Sequence, residues 1–290
     1  MLNNQYDIIL PKDDIIEEIV LSDNFNEILT ENTFNKNITS LIFGRFFNQQ
    51  IQKNVLPTNL KYLVFGDEYN KVINEDVLPK SLISLTFKMK YNCIINPNVL
   101  PSSLLYLKFG DKYNKEFMKK TLPNSLIILE FTPNSNYNKA FKKKILPNTL
   151  KKLTLGDGYT KKIKPNRLPK ELIYLTFGNN YNHYIEEEVL PKSLKYIRLG
   201  KTFLPSLENL PADIELVHFY NYFDKINWKL NDNIKKIIID KFIYYNNENI
   251  TIPLNIHTIQ IVDYEELDKI KITIGQNSNL INKYGDKIFI

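Results

Sequence analysis

The sequence predicts a mainly β solenoid of about twelve repeats of about 22 residues, with one parallel sheet and a mostly non-helical return side. Three observations predict it. The dipeptide Leu-Pro recurs at Leu56, Leu78, Leu100, Leu122, Leu146, Leu168, Leu190 and Leu210, at intervals of 22, 22, 22, 24, 22, 22 and 20 residues. Apolar residues then fall at fixed offsets from each leucine. An aromatic residue followed by Asn closes most copies.

With the leucine as position 0, a copy can be read from its first residue onward. Proline at position 1 has no N–H to give a ladder, so it belongs to the extended segment before a strand. Apolar residues at 7 and 9 alternate with 6 and 8, the period-2 mark of a strand with one buried face; Leu63/Phe65, Leu107/Phe109 and Leu175/Phe177 are examples. Glycine comes next at position 10, as in Gly66 and Gly110, where a turn with a left-handed residue is expected. The aromatic at 13 (Tyr69, Tyr113, Tyr159, Tyr181) is expected in the core as a spine. Asn at 14 (Asn26, Asn48, Asn70, Asn92, Asn114, Asn182) is expected to form a buried ladder between copies. An aliphatic residue or Phe at 17 completes the interior, and no interval leaves room for a long helix.

One copy cannot stand alone. Its six or seven core side chains contribute about 1.5–3 kcal/mol each when fully buried. Ordering its backbone costs about 1–2 kcal/mol per residue. Stacking is what buries both faces of every copy, with neighbouring strands about 4.8 Å apart. Degenerate copies begin at Lys12, Phe34, Leu230 and Ile252. The expected organisation is therefore an N-terminal cap with a degenerate first repeat over 1–33, a repeat solenoid over 34–262, and a C-terminal cap over 263–290, where the phase is lost after Val262.

Composition narrows the function. The 290 residues are 43% hydrophobic with net charge +6, which fits a folded, mildly basic protein. A single cysteine, Cys93, excludes a disulfide framework and suits a cytoplasmic location. No apolar run approaches the roughly 18 residues of a membrane span, and the first residues lack a signal-peptide profile.

Chemistry is scarce. His183, His218 and His257 sit at different offsets of separate copies and read as surface histidines, and no metal spacing accompanies them. Cys93 has no nearby histidine. Phosphate loops and nucleophile elbows are missing, so no catalytic residue, cofactor or metal is expected and the protein is read as a non-enzyme.

Two features could hold a partner. The outward face of the sheet carries Tyr62, Tyr106, Tyr174 and Tyr196 with Lys152 and Arg198, residue types common at protein-binding hot spots. A run of lysines, Lys139, Lys142, Lys143, Lys144, Lys151, Lys152, Lys161, Lys162 and Lys164, is expected to form a basic patch that could draw phosphates of nucleic acid.

The segments Phe47–Ile51 (FNQQI) and Tyr69–Ile73 (YNKVI) resemble the FNIP repeat, and the LPxSLxxLxFG half resembles a short leucine-rich repeat. The resemblance spans about Lys12 to Val262. It implies a leucine-rich-repeat-like solenoid, a protein-interaction scaffold with no catalytic residues, and a viral or amoebal source. Some relatives place an F-box, a ubiquitin-ligase adaptor, before the repeats. Leu10–Val20 resembles the opening of one, but Asp23–Asn26 already reads as repeat, so a cap is expected there. A substrate adaptor remains the alternative to a plain scaffold.

Overall fold

The computed structural model describes residues 17–203, 208–222, 234–242, 250–251, 256–262, 272–273 and 278–288. The openings of the degenerate copies at Lys12, Leu230 and Ile252, most of the F-box-like stretch, and residues 263–271 of the expected C-terminal cap lie outside them. The chain divides into two units, Asn3–Tyr159 and Thr160–Ile290.

In the first unit, β1 (Glu18–Val20), β2 (Ser40–Ile42), β3 (Tyr62–Val64), β4 (Ser84–Thr86), β5 (Tyr106–Phe109), β6 (Ile128–Phe131) and β7 (Lys152–Thr154) pair in chain order, all parallel. The register joins like positions of successive copies, as in Leu85↔Leu107. Alternation matches the sequence pattern: Leu107 is fully buried while Tyr106 and Lys108 are half-buried on the other face. In the second unit, β8 (Tyr174–Thr176), β9 (Tyr196–Leu199), β10 (Leu216–Tyr222), β11 (Lys236–Phe242), β13 (Thr258–Ile261) and β15 (Asn279–Ile281) pair likewise. Two short strands, β12 (Ile250–Thr251) and β14 (Ile272–Thr273), form a second parallel pair.

Aromatic rings fill the interior in two stacked columns. Phe65 lies over Phe87 at 5.3 Å, and Phe87 over Phe109 at 5.5 Å. The second column runs Tyr69, Tyr91, Tyr113, Tyr137 and Tyr159 at 6.0–6.2 Å. Within a copy the two columns touch, as Phe87 and Tyr91 do at 3.8 Å. The spine expected at position 13 is therefore real.

Among the described residues the return side is made of turns and extended segments. The Pro79 carbonyl accepts from Leu82 N–H at 3.1 Å, and the same bond closes after Pro57, Pro101, Pro123, Pro147, Pro169 and Pro191. Proline thus opens a turn as well as ending the return. The serine at position 3 explains itself only here. Ser103 Oγ donates to the Leu82 carbonyl of the preceding copy at 2.7 Å, and Ser81, Ser125 and Ser193 make the equivalent bond.

Several expectations need correction. The Asn ladder exists, with Asn48, Asn70, Asn92, Asn114 and Asn138 each donating a backbone N–H to the side-chain Oδ1 of the preceding Asn at 2.9–3.0 Å. It is not buried, however: these residues are half-buried or exposed because the ladder runs along the outside of the return segment. The glycines at position 10 do not adopt left-handed backbone. That conformation belongs to position 20, at Asn54, Asp76, Asn98, Lys120, Lys144, Asn166 and Glu188, with φ of 60–67°. Glycine is needed because copies approach too closely for a side chain. A Cβ on Gly66 would lie 1.9 Å from the Gly44 carbonyl oxygen, and one on Gly110 would lie 2.2 Å from that of Lys88.

Beyond Val262 the described residues hold one more strand of the sheet. β15 continues the ladder, pairing Ile259 with Leu280, and Leu280 is buried. The chain then turns through Asn282–Asp286 to an antiparallel bridge, Ile281↔Lys287. An antiparallel return occupies part of an edge that would otherwise offer its ladder groups to another strand.

Candidate functional site on the outward sheet face

Outward residues of a strand stand beside their counterparts on the neighbouring copies, so many of them on this face, such as Tyr62, Tyr106 and Lys152, are half-buried, while Ser40, Ile128 and Gln260 are buried and Val20 is exposed. Tyr62, Tyr106 and Lys152 lie on it in the first unit, and Tyr174, Tyr196 and Arg198 in the second. The structure also ties several of them together.

In the first unit, Tyr106 Oη donates to Glu130 Oε2 at 2.8 Å, and Lys152 Nζ meets Glu130 Oε1 at 2.8 Å. Glu130, absent from the sequence-predicted set, is the hub: one carboxylate holds two side chains from different strands. Burial, then the Glu130 charge, push the Tyr106 phenol well above its ordinary range, so Tyr106 stays a neutral donor.

In the second unit a longer chain of contacts forms. The Tyr174 and Tyr196 rings lie 6.0 Å apart, and Tyr196 meets the His218 ring edge-on at 6.5 Å. Tyr196 Oη and His218 Nδ1 are 3.0 Å apart, and His218 Nε2 and Asp240 Oδ1 2.7 Å. Arg198 Nη2 donates to Asp240 Oδ2 at 3.1 Å. Burial pushes the Asp240 carboxyl up, but the hydrogen bonds and charges of His218 and Arg198 together outweigh it, holding Asp240 below the usual carboxylate range. The Tyr196 phenol is pushed up to about 12, chiefly by burial.

His218 is thus no free surface histidine. Its side chain is held between two partners. His183 fits the surface reading better, contacting the Thr160 carbonyl at 2.7 Å, and His257 is exposed. Sequence reasoning missed Asp240 because it stands at position 10 of its copy, where a turn was expected. The signal was the absence of glycine there.

The lysines fall on different elements. Lys152 sits in a strand on the sheet face, whereas Lys142, Lys143 and Lys144 sit in the return of the first unit. Lys161 and Lys162 belong to the second unit, where Lys162 Nζ pairs with Glu186 Oε1 at 2.5 Å. Lys152 therefore stands on a different element from Lys142–Lys144. Cys93 half-buries its thiol against Asn70 Oδ1 at 3.2 Å, and burial pushes its pKa up, so it is a poor nucleophile. Among the described residues no group of three or more His, Cys, Asp or Glu could hold a metal ion, and no helix is long and apolar enough to cross a membrane.

A parallel ladder of short strands, hydrogen-bonded copy to copy and joined among the described residues by returns of turns and extended segments, defines a leucine-rich-repeat-like β-solenoid. The FNIP Repeat model matches residues 25–68, 47–90, 69–112, 113–158 and 159–202, more than half of the sequence, and the chain belongs to the FNIP repeat family. No curated protein matches it. Among solved structures it is similar to "CroV588 a novel circular LRR protein", at 30% identity and TM-score 0.66 over 90% of this chain. The chain spans less than half of that protein, 43% of its length. A weaker likeness, to YopM from Yersinia enterocolitica WA-314, has 16% identity and TM-score 0.33 over 91% of this chain and 73% of the other.

Proposed function

We propose that the protein is a non-enzymatic, cytoplasmic scaffold that holds a protein partner on the outward face of its sheet. The observation that carries this reading is the held state of the face. Tyr106 and Lys152 are fixed on Glu130, and Tyr196 and Arg198 are fixed through His218 and Asp240. Aromatic and Arg side chains that are already ordered lose little entropy on binding, which is what makes them effective anchors. The family supports the same reading, since leucine-rich-repeat-like folds serve widely as interaction scaffolds.

The experiment is site-specific photocrosslinking in the native cell. A crosslinkable residue at position 176 or 108 is expected to capture one defined protein, and the same residue at position 53 on the return side is not. Tyr174→Asp is expected to abolish that capture while leaving the melting temperature within a few degrees. Equal capture from both sides would overturn the sheet-face assignment.

A further inference from the structure

A second surface, independent of the sheet face, lies on the return side of the Asn3–Tyr159 unit. Two successive copies there read Tyr-Asn-Lys-Glu-Phe-Met-Lys-Lys (113–120) and Tyr-Asn-Lys-Ala-Phe-Lys-Lys-Lys (137–144). Together they hold seven lysines, Lys115, Lys119, Lys120, Lys139, Lys142, Lys143 and Lys144, against one carboxylate, Glu116. Glu116 pairs with Lys142 at 2.5 Å, which places the two copies side by side at this corner. Among the described residues no carboxylate pairs with Lys119, Lys120, Lys143 or Lys144, and all four are exposed.

A generally lysine-rich sequence does not account for this. The next copy keeps Lys161, Lys162 and Lys164, but the one after it carries Glu186, Glu187 and Glu188, and an earlier copy carries Glu75 and Asp76. Two of the lysines also occupy unfavourable backbone. Lys120 and Lys144 have φ of 67° and 62°, at a position where four other copies place Asn or Asp. A long side chain gains nothing locally from the left-handed region, and stacked like charges repel. Both choices work against the folded chain, so the charge answers to something outside it.

The same side exposes aliphatic side chains in neighbouring copies. Val72, Ile94 and Met118 are 43%, 50% and 39% exposed. Met118 directly precedes Lys119 and Lys120. Lysines interleaved with exposed aliphatic groups suit the interface of an anionic bilayer, where charge attracts and small apolar groups enter the headgroup boundary. A single-stranded nucleic acid would call instead for exposed aromatic rings beside the cations. The exposed large hydrophobic residues beside these lysines are aliphatic or thioether.

We propose that this corner is a peripheral docking surface for membranes bearing anionic phospholipid. The test is cosedimentation of the full chain with vesicles of phosphatidylcholine alone or with a third phosphatidylserine. Binding is expected only with phosphatidylserine, and it is expected to weaken as salt rises. Lys119→Glu, Lys120→Glu, Lys143→Glu and Lys144→Glu together are expected to weaken it at least about a hundredfold. Lys152→Glu, on the sheet face, is expected to leave it unchanged. The paired variant Lys120→Gly, Lys144→Gly guards against misfolding as the cause: it relieves the backbone, so it is expected to melt higher yet bind vesicles less. Ile94→Asp with Met118→Asp is expected to weaken binding as well. Equal binding to both vesicle types, no binding to either, or binding of single-stranded DNA without binding to phosphatidylserine vesicles would overturn the proposal.

Discussion

Strands β2 to β9 hold three or four residues each, whereas β10 and β11 hold seven. Both groups bury the same positions, Leu107 and Phe109 in one and Ile237 and Ile239 in the other. They differ in the residues just beyond the strand. After the short strands comes the turn that ends on an aromatic residue, and in most copies Asn stands next to it. In the copies of β10 and β11, Tyr220 and Asp240 replace glycine, and Asp224 and Tyr244 stand where Asn is usual. Glycine alone does not stop a strand, because Lys88 and Thr132 occupy its place after β4 and β6. Those two copies keep the aromatic–Asn pair, as Tyr91-Asn92 and Tyr137-Asn138. In β10 and β11, where both the glycine and the pair are replaced, the ladder runs on to seven residues. That extension carries Asp240 onto the outward face, where it reaches His218 and Arg198. The residues that end strands in one region thereby decide which side chains face outward in the other.

Four measurements test this contrast. The largest effect is expected at Gly66→Ala, whose Cβ would meet a backbone oxygen at 1.9 Å. Backbone cannot swing aside, so a loss of about 3 kcal/mol is expected in urea unfolding. A wild-type midpoint would remove the close-approach account of the glycines.

Next comes Asp240→Asn, which leaves Arg198 and His218 without their shared carboxylate and is expected to cost about 2 kcal/mol at neutral pH. The folded pKa lies below the ordinary value of 3.8. The stabilisation is therefore full above that value and is lost as pH falls through the lower folded value. Wild type and variant are expected to converge at the acid end of a pH series of melts. A gap independent of pH would mean that charge is not what Asp240 contributes.

Smaller still is Asn70→Ala. A half-exposed ladder exchanges water for a neighbour's N–H, so about 1 kcal/mol is expected, less than a buried ladder would give. No measurable loss would show the ladder to be incidental.

The smallest change has the opposite sign. Tyr91 and Tyr113 bury hydroxyls that meet no hydrogen-bond partner among the described residues. Tyr91→Phe is thus expected to stabilise by up to about 1 kcal/mol. Burial also raises the phenol pKa of both above the ordinary 10.0. The stability tied to the neutral phenols is present below that value and lost as pH rises beyond it. Tyr91→Phe with Tyr113→Phe is expected to flatten the alkaline fall in melting temperature, and an unchanged fall would place its cause elsewhere.

Period and alternation were legible in the sequence. Leucine at 0, 4 and 7, an aromatic or aliphatic residue at 9 and an aromatic at 13 specify which side chains are inside, because a repeated unit has only its identical neighbours to bury them. That argument yielded the strands, the parallel register and the aromatic spine without coordinates. It also placed Tyr62, Tyr106, Tyr174 and Tyr196 on the outward face. Contacts between unlike positions of different copies emerge only in the folded chain. Glu130 joins Tyr106 to Lys152, and Asp240 meets Arg198 two strands away. The glycines answer to a neighbour's carbonyl rather than to their own backbone, and Ser103 to the Leu82 carbonyl. A periodic pattern records burial, which each copy shares with the next. Hydrogen bonds and ion pairs depend on distance and direction between particular atoms, and these exist only once the copies have stacked.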